Sequence, residues 1–225
     1  MQITFLGHAA FALEHDGKTV LVDPFLTGNP KASATADEVS ADAIFLTHGH
    51  SDHLGDTVDI AKRTGATVVA IVELAGELSE SGVENVMDPN IGGTVDLGWV
   101  SVRLTPAWHT STTPGGTVNT PAGLVIEMGG KRMYFAGDTA LFSDLALPAA
   151  RGHIDLAVVP IGGHYTMDRF DAVVAADLIK ADQIIPDHYN TFPPIETDVQ
   201  AFKSDVQNAG FAEVIVLDPG QAHTL

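Results

Sequence analysis

Polar and apolar side chains take turns at the start of the chain, Gln2 and Thr4 against Ile3 and Phe5, and short strand-like segments recur at residues 11–14 and 18–22. A period of two marks a half-buried strand, so residues 2–6, 11–14 and 18–22 read as three strands, with Asp16-Gly17 as the tight turn between the last two. The chain therefore opens antiparallel. Asp23-Pro24 ends the third strand, and residues 27–40, with their Gly, Asn, Pro and small polar side chains, form a surface loop. Residues 43–46 are an apolar run that reads as a buried strand. A helix capped by Ser51 or Asp52 follows and runs through residues 60–64, then a strand over 67–72 and a short helix over 74–81 stopped by Gly82.

The second half repeats this order. Residues 94–97 and 100–105 alternate as strands, the second running into Pro106-Ala107-Trp108-His109, and 124–128 and 132–136 form a hairpin across Gly129-Gly130 that leads to Gly137-Asp138-Thr139. A short helix over 141–150 precedes an apolar strand at 156–161, which ends at Gly162-Gly163-His164. Residues 170–180 form an amphipathic helix behind Thr166 or Asp168 as cap, 183–186 lead to Asp187-His188, 199–209 form a last helix and 214–217 a last strand. Hairpins followed by alternating strands and helices, twice over, predict an α/β chain with two β-sheets in the middle and helices outside.

Composition narrows this further. The 225 residues, 45% of them hydrophobic, suffice for one large core and show no linker, so residues 1–225 are expected to be a single domain. There are no cysteines, which excludes disulfides, Fe–S clusters and thiolate zinc sites; any transition metal must be held by His and carboxylate. The opening MQITFLGHAAFALEHDG enters strand pattern directly, with neither a basic segment nor a small-residue cleavage site, and no apolar run reaches the length of a membrane span, so a soluble cytoplasmic protein without a membrane partner is expected. A net charge of −18 argues against a nucleic acid partner.

The candidate chemistry is concentrated in His48-Gly49-His50-Ser51-Asp52-His53, three imidazoles and a carboxylate just past the predicted strand at 43–46. In extended chain His48 and His50 face the same way and can close on one cation; a turn at Asp52 lets Asp52 and His53 swing toward a second. Gly49 keeps the loop slim. A helix cap would account for Asp52 alone and leave the histidines unexplained. His50, His109, Asp138, His164 and His188 all follow predicted strands, where an α/β scaffold gathers reacting groups. Singly, His109 is explained as a packed loop residue, Asp138 as a helix cap and His188 as a partner of backbone; beside the first cluster, all three read as metal ligands.

The segment from Thr47 to His53 matches the H-x-H-x-D-H signature of the metallo-β-lactamase superfamily, and His109, Asp138 within Ala136-Gly137-Asp138-Thr139, and His188 fall in the order and approximate spacing of its remaining ligands. Leu6-Gly7-His8-Ala9-Ala10-Phe11, residues 160–168 and the PDHYNTFPP stretch at 186–194 resemble the short metal-dependent hydrolases related to ascorbate-6-phosphate lactonase and to N-acyl-phosphatidylethanolamine phospholipase D. The resemblance implies a four-layer αββα sandwich of two mixed β-sheets flanked by helices. It implies that His48, His50 and His109 bind one metal, Asp52, His53 and His188 another, and that Asp138 bridges them. Zinc suits these donors best; Mn, Fe, Ni or Co also fit.

Such a site implies a hydrolase in which a metal-bridging hydroxide cleaves a small ester, lactone or phosphate ester. Asp52, His8 and His164 are the residues expected to act in catalysis, His8 by lining the site or by holding a metal ligand, and His164 with Tyr165 at the rim toward the substrate or leaving group. Asn190 and Thr191 read as turn formers, and the loop over residues 110–123 as a lid. A nuclease or phosphodiesterase of the same superfamily is the alternative, although no basic RNA-gripping insertion is visible; thioesterases and flavodiiron oxidoreductases fit less well, and a non-catalytic metal-binding sensor is the reading from another class. The expected partner is a small-molecule substrate, and the relatives named suggest self-association as a homo-oligomer.

Overall fold

The computed structural model describes all 225 residues, Met1–Leu225. The first half supplies β1 (Gln2–Gly7), β2 (Ala10–His15), β3 (Lys18–Val22), β4 (Ala43–Phe45), α1 (Ser51–Leu54), α2 (Thr57–Thr64), β5 (Thr67–Val69), α3 (Val72–Glu80) and β6 (Val86–Met87). The second supplies β7 (Thr94–Asp96), β8 (Val100–Pro106), β9 (Ala122–Met128), β10 (Lys131–Phe135), α4 (Leu147–Ala150), β11 (Ile154–Pro160), α5 (Arg169–Ile179), β12 (Ala181–Asp187), α6 (Val199–Ala209), β13 (Glu213–Val214) and β14 (Ala222–Thr224). One sheet has the order β14-β1-β2-β3-β4-β5-β6 and the other β13-β12-β11-β10-β9-β8-β7. Both are mixed: β1 to β3 and β7 to β10 pair antiparallel, and β3 to β6 and β10 to β13 pair parallel. The α/β sandwich expected from the sequence is the fold observed.

Strand alternation sorts side chains into two cores. Leu124, Ile126, Met133, Phe135, Leu156 and Val158 face Phe5, Phe11, Leu13 and Phe45 between the sheets, while Val125, Tyr134, Ala157 and Val159 face outward onto α5 and α6. Because successive residues point to opposite faces, strands buried on both sides read as continuous apolar runs. Phe11 joins the sheets directly, its ring 5.0 Å from Phe5 and 5.6 Å, edge-on, from Phe135. On the other flank Ile60, Ala61, Leu74, Ala75 and Leu78 bury the apolar faces of α2 and α3.

Three local expectations are corrected, and one choice between two caps is decided. The helix expected from the cap at residues 51–52 through 64 is split, because Asp56 turns its carboxylate to the amides of Leu26 and Thr27 (2.9 and 2.8 Å) instead of capping α2, and neither Ser51 nor Asp52 caps α1. The helix at 141–150 begins only at Ser143, as a 3-10 turn leading into α4. Asp168, rather than Thr166, caps α5, accepting from the Phe170 and Asp171 amides at 2.9 Å. The final strand is not 214–217: β13 stops at Val214, and the polar segment β14 adds to the edge of β1, a pairing that hydrophobic pattern cannot signal.

Pairing directions decide where the site lies. Since β1 is antiparallel to β2 and β2 to β3, the carboxyl ends of β1, β3 and β4 share one edge; by the same reasoning so do those of β8, β10, β11 and β12. His8, Asp23, His48, His109, Asp138 and His188 all follow these ends. Replacing Phe11 with Ala would remove the ring that couples the sheets and should lower unfolding free energy by about 3–5 kcal/mol in urea titrations.

Candidate metal centre

Two groups of side chains converge at this edge, each with ligand atoms within 4.8 Å of one another: His48, His50, His109 and Asp138, and His8, Asp52, His53 and His188. All seven ligands expected from the sequence are brought together. Asp138 lies between the groups. Its Oδ1 is 3.3 Å from His53 Nε2, and its Oδ2 is 3.4 Å from His188 Nε2, 3.5 Å from His109 Nε2 and 3.9 Å from His48 Nε2. His48 Nε2 and His50 Nδ1 face each other at 3.0 Å, and Asp52 Oδ2 stands 3.6 Å from His188 Nε2.

The sequence reading missed Asp23, which is buried and sets the orientation of two of these rings. It accepts from the Thr47 amide (2.8 Å), the Thr47 hydroxyl (2.6 Å) and His53 Nδ1–H (2.8 Å). With its proton given to Asp23, the Thr47 oxygen accepts from His48 Nδ1–H at 3.0 Å. Both imidazoles therefore aim Nε2 into the cluster, the relation expected of metal-bound histidines and their outer partners. Only its place at the end of a strand ahead of a proline could have signalled Asp23.

His8 performs the second of the two roles considered for it. Burial lowers its pKa to about 4, so it is neutral at pH 7. A carboxylate only accepts, so Nε2–H donates to Asp52 (3.1 Å), and Nδ1 accepts from the Thr191 hydroxyl (2.9 Å). Thr191, read as a turn former, is thus tied to the site. His164 is exposed and packs its ring edge-on against Tyr165, 4.5 Å away; Tyr165, not His164, lines the cavity.

The charges are unbalanced in a way that suits cations. Burial pushes the Asp138 carboxyl up, but the charges of His188 and His53 outweigh this and hold it well below the carboxylate range. Asp52 is likewise held low against its burial by the His188 and His8 imidazoles. Burial drives His48 well down and His109 down; for His53 and His188 the opposite holds, because Asp138, with Asp23 for one and Asp52 for the other, overcomes burial and raises them. His53 Nε2 and both ring nitrogens of His188 are buried without a hydrogen-bond partner. Orphaned buried nitrogens pointing at carboxylates are costly unless something positive lies between, so the donor set fits divalent metal ions.

The loop over residues 110–123, expected to be a lid, is fastened down. Ser111 Oγ and Asn119 Oδ1 both accept from the Gly49 amide (3.0 and 3.1 Å), the Thr113 hydroxyl donates to Glu77 (2.6 Å), and Thr112 pairs with Val118. Any Cβ on Gly49 would stand 2.6 Å from Asn119 and 2.7 Å from Thr113, so glycine is required for this approach. The loop is one wall of a cavity of about 690 Å³ over the cluster, lined also by Phe25, Asp52, His109, Tyr165 and Phe192.

Comparisons with known proteins agree with the geometry. Residues 2–188 match the family model described as a beta-lactamase superfamily domain. The chain is 47% identical over 231 residues to a UPF0173 metal-dependent hydrolase of Methanopyrus kandleri, covering 99% of both, and 48% identical over 224 residues to one of Carboxydothermus hydrogenoformans, covering 98% of both. Among solved structures it is similar to Igni18, a metallo hydrolase of Ignicoccus hospitalis, with a TM-score of 0.91 and 37% identity over 100% of this chain and 97% of that one. With fold, ligand constellation and full-length relatives in agreement, the chain belongs to the metallo-β-lactamase superfamily and, within it, to the UPF0173 metal-dependent hydrolases.

Proposed function

We propose that the site holds two divalent cations, zinc by preference, and hydrolyses a small ester, lactone or phosphate ester in the cytoplasm. The observation that carries this reading is the Asp138 carboxylate, with one oxygen toward His53 and the other toward His109, His188 and His48. In this assignment His48, His50 and His109 would hold one ion and Asp52, His53 and His188 the other, with Asp138 available to both groups. Cations bound there acidify water to near neutrality and stabilise negative charge on the oxygens of the reacting group.

The remaining residues hold this arrangement in place. Asp23 fixes the rings of His48 and His53 through Thr47 and directly, and His8 grips Asp52 from the side away from solvent. Phe25 and Phe192 stand edge-on to His8, 5.8 and 5.5 Å away, and pack its ring in place. The cavity, bounded by the fastened loop on one side and by Tyr165 on the other, supports the reading of a small substrate.

Three outcomes are expected. Calorimetric titration of chelator-stripped protein with zinc should give two ions per chain and release protons. His53 and His188 are raised above 6.5 in the ion-free site and must lose their protons to bind, so apparent affinity should climb as pH rises through that range and weaken below it. His8→Asn, which tolerates the left-handed backbone at φ 63° but cannot reach Asp52, and Asp23→Asn, which turns an amide NH2 on one of three donors, should each cost about 10–100-fold in metal affinity or activity. Wild-type protein should turn over members of a panel of p-nitrophenyl esters, phosphodiesters and lactones, with activity abolished by chelator and in Asp52→Ala; stoichiometric metal with no turnover on any of them would instead mark a sensor.

A further inference from the structure

Between β11 and α5 the chain makes a turn over residues 162–168 that carries Tyr165 to the lip of the cavity, where it is 55% exposed. The turn is tied several times over. The Gly163 amide donates to the Met167 carbonyl (2.9 Å), the Tyr165 amide donates to the Gly163 carbonyl (2.6 Å), and Gly162 bridges to Asp168. Met167 is buried in the core that α5 covers, and its amide donates to the Thr139 carbonyl (3.0 Å), one residue past Asp138. Just ahead of Tyr165 two consecutive residues adopt left-handed backbone, Gly163 at φ 67° and His164 at φ 53°. Glycine takes that conformation freely; histidine does so at a cost, and His164, being exposed, recovers nothing by burial. It belongs to neither group of metal ligands. What His164 does supply is a ring set edge-on against that of Tyr165, 4.5 Å away.

We propose that Tyr165 is a specificity-determining residue whose ring receives a flat apolar group, aryl above all, borne by the reacting centre of the substrate. His164 is the positioning residue that holds this ring over the cavity; both roles rest on the hydrolase reading above. A tyrosine that served packing alone would be turned inward, as the fully buried Tyr134 is. Tyr165 instead keeps about half of its surface open on a backbone that is fixed. A ligand stacking on it therefore has only two side-chain torsions to order, and the His164 contact already restricts them. More apolar surface lies in the same cavity, on Phe25, Phe192 and Pro114, so a flat group entering beside Tyr165 leaves water for several faces at once. The contact is made by the group beside the reacting centre and is the same whether that centre is carbon or phosphorus.

Substrate pairs that share a leaving group and differ in a ring at the reacting centre test this: p-nitrophenyl phenylacetate against p-nitrophenyl acetate, and p-nitrophenyl phenylphosphonate against p-nitrophenyl methylphosphonate. On zinc-loaded protein the ring-bearing member of whichever pair is turned over should have the higher kcat/KM once each is divided by its hydroxide-catalysed rate constant. Tyr165→Ala should cut that preference by about 10-fold or more, mainly through KM, and Tyr165→Phe should keep it. His164→Asn, which tolerates the left-handed backbone, should keep metal stoichiometry and thermal midpoint yet lower the preference by about 3-fold, a change that a purely structural role would not produce. No preference in the wild type, an unchanged one in Tyr165→Ala, or its loss in Tyr165→Phe overturns the role of Tyr165; an unchanged one in His164→Asn overturns that of His164. Each of these leaves the hydrolase reading standing. Absence of all turnover with zinc bound removes that reading, and saturation-transfer NMR with the inert ketone benzylacetone then decides the contact: a signal weakened in Tyr165→Ala supports it, and an equal signal overturns it.

Discussion

A carboxylate buried among imidazoles is the constraint on which the rest depends. Asp138 is 3% exposed, and an isolated carboxylate in that position would give up its charge. It keeps the charge because His53 and His188 are raised to share it, while His48 and His109 are lowered by burial. The arrangement persists only if its groups cannot turn away: Asp23 and Thr47 hold the His48 and His53 rings, and His8 holds the Asp52 carboxylate.

Holding the groups so closely has a backbone cost. His8, Asp23 and His188 all adopt left-handed conformations (φ 63°, 45° and 50°), which for residues with a Cβ costs on the order of 1–3 kcal/mol each. Each is pinned by a bond that would be lost on relaxation: the His188 amide donates to the His8 carbonyl at 2.9 Å, and Asp23 is held by Thr47. The His188 carbonyl lies so near Gly162 that a Cβ there would be 2.2 Å away, so even the space behind the strand end is committed to this geometry. Stability won between the sheets by Phe11, Phe135 and their neighbours is what sustains these strained positions.

These same positions mark the limit of what could be read from sequence. Strand periods, the Gly129-Gly130 hairpin and helix α6 (residues 199–209) were legible because they express local preference, and the ligands were legible because four donors stand within residues 48–53 and the others each follow a strand end. The functions of Asp23 and Thr191 were not, since each acts on a residue distant in the chain, His53 for Asp23 and His8 for Thr191. The loop over 110–123 has a lid's composition, but Ser111, Thr113 and Asn119 spend their polar groups on Gly49 and Glu77. Composition reports that hydroxyls and amides are present and is silent on whether solvent or protein satisfies them. Strand β14 and the break between α1 and α2 escaped for a related reason: their determinants are an edge pairing and an Asp56 side chain bonded to another segment.

Neither sheet holds a complete set of ligands. His48 and His50 come from the end of β4 and meet His109 and Asp138 from β8 and β10; His8, Asp52 and His53 come from the first sheet and meet His188 from β12. Cations gripped by both sets would therefore join the two sheets at the edge where His8, Asp23 and His188 are strained, adding to direct ties such as the Ala122 amide to the Thr47 carbonyl and the His188 amide to the His8 carbonyl, 2.9 Å each. Binding energy spent there is available to the native state and not to the unfolded chain, whose ligands are scattered between His48 and His188, so metal affinity and sheet packing are linked quantities. The interior apolar core can then remain ordinary in its packing while the rim carries strained, charged groups, because cations bound among those groups would add to the rim's cohesion.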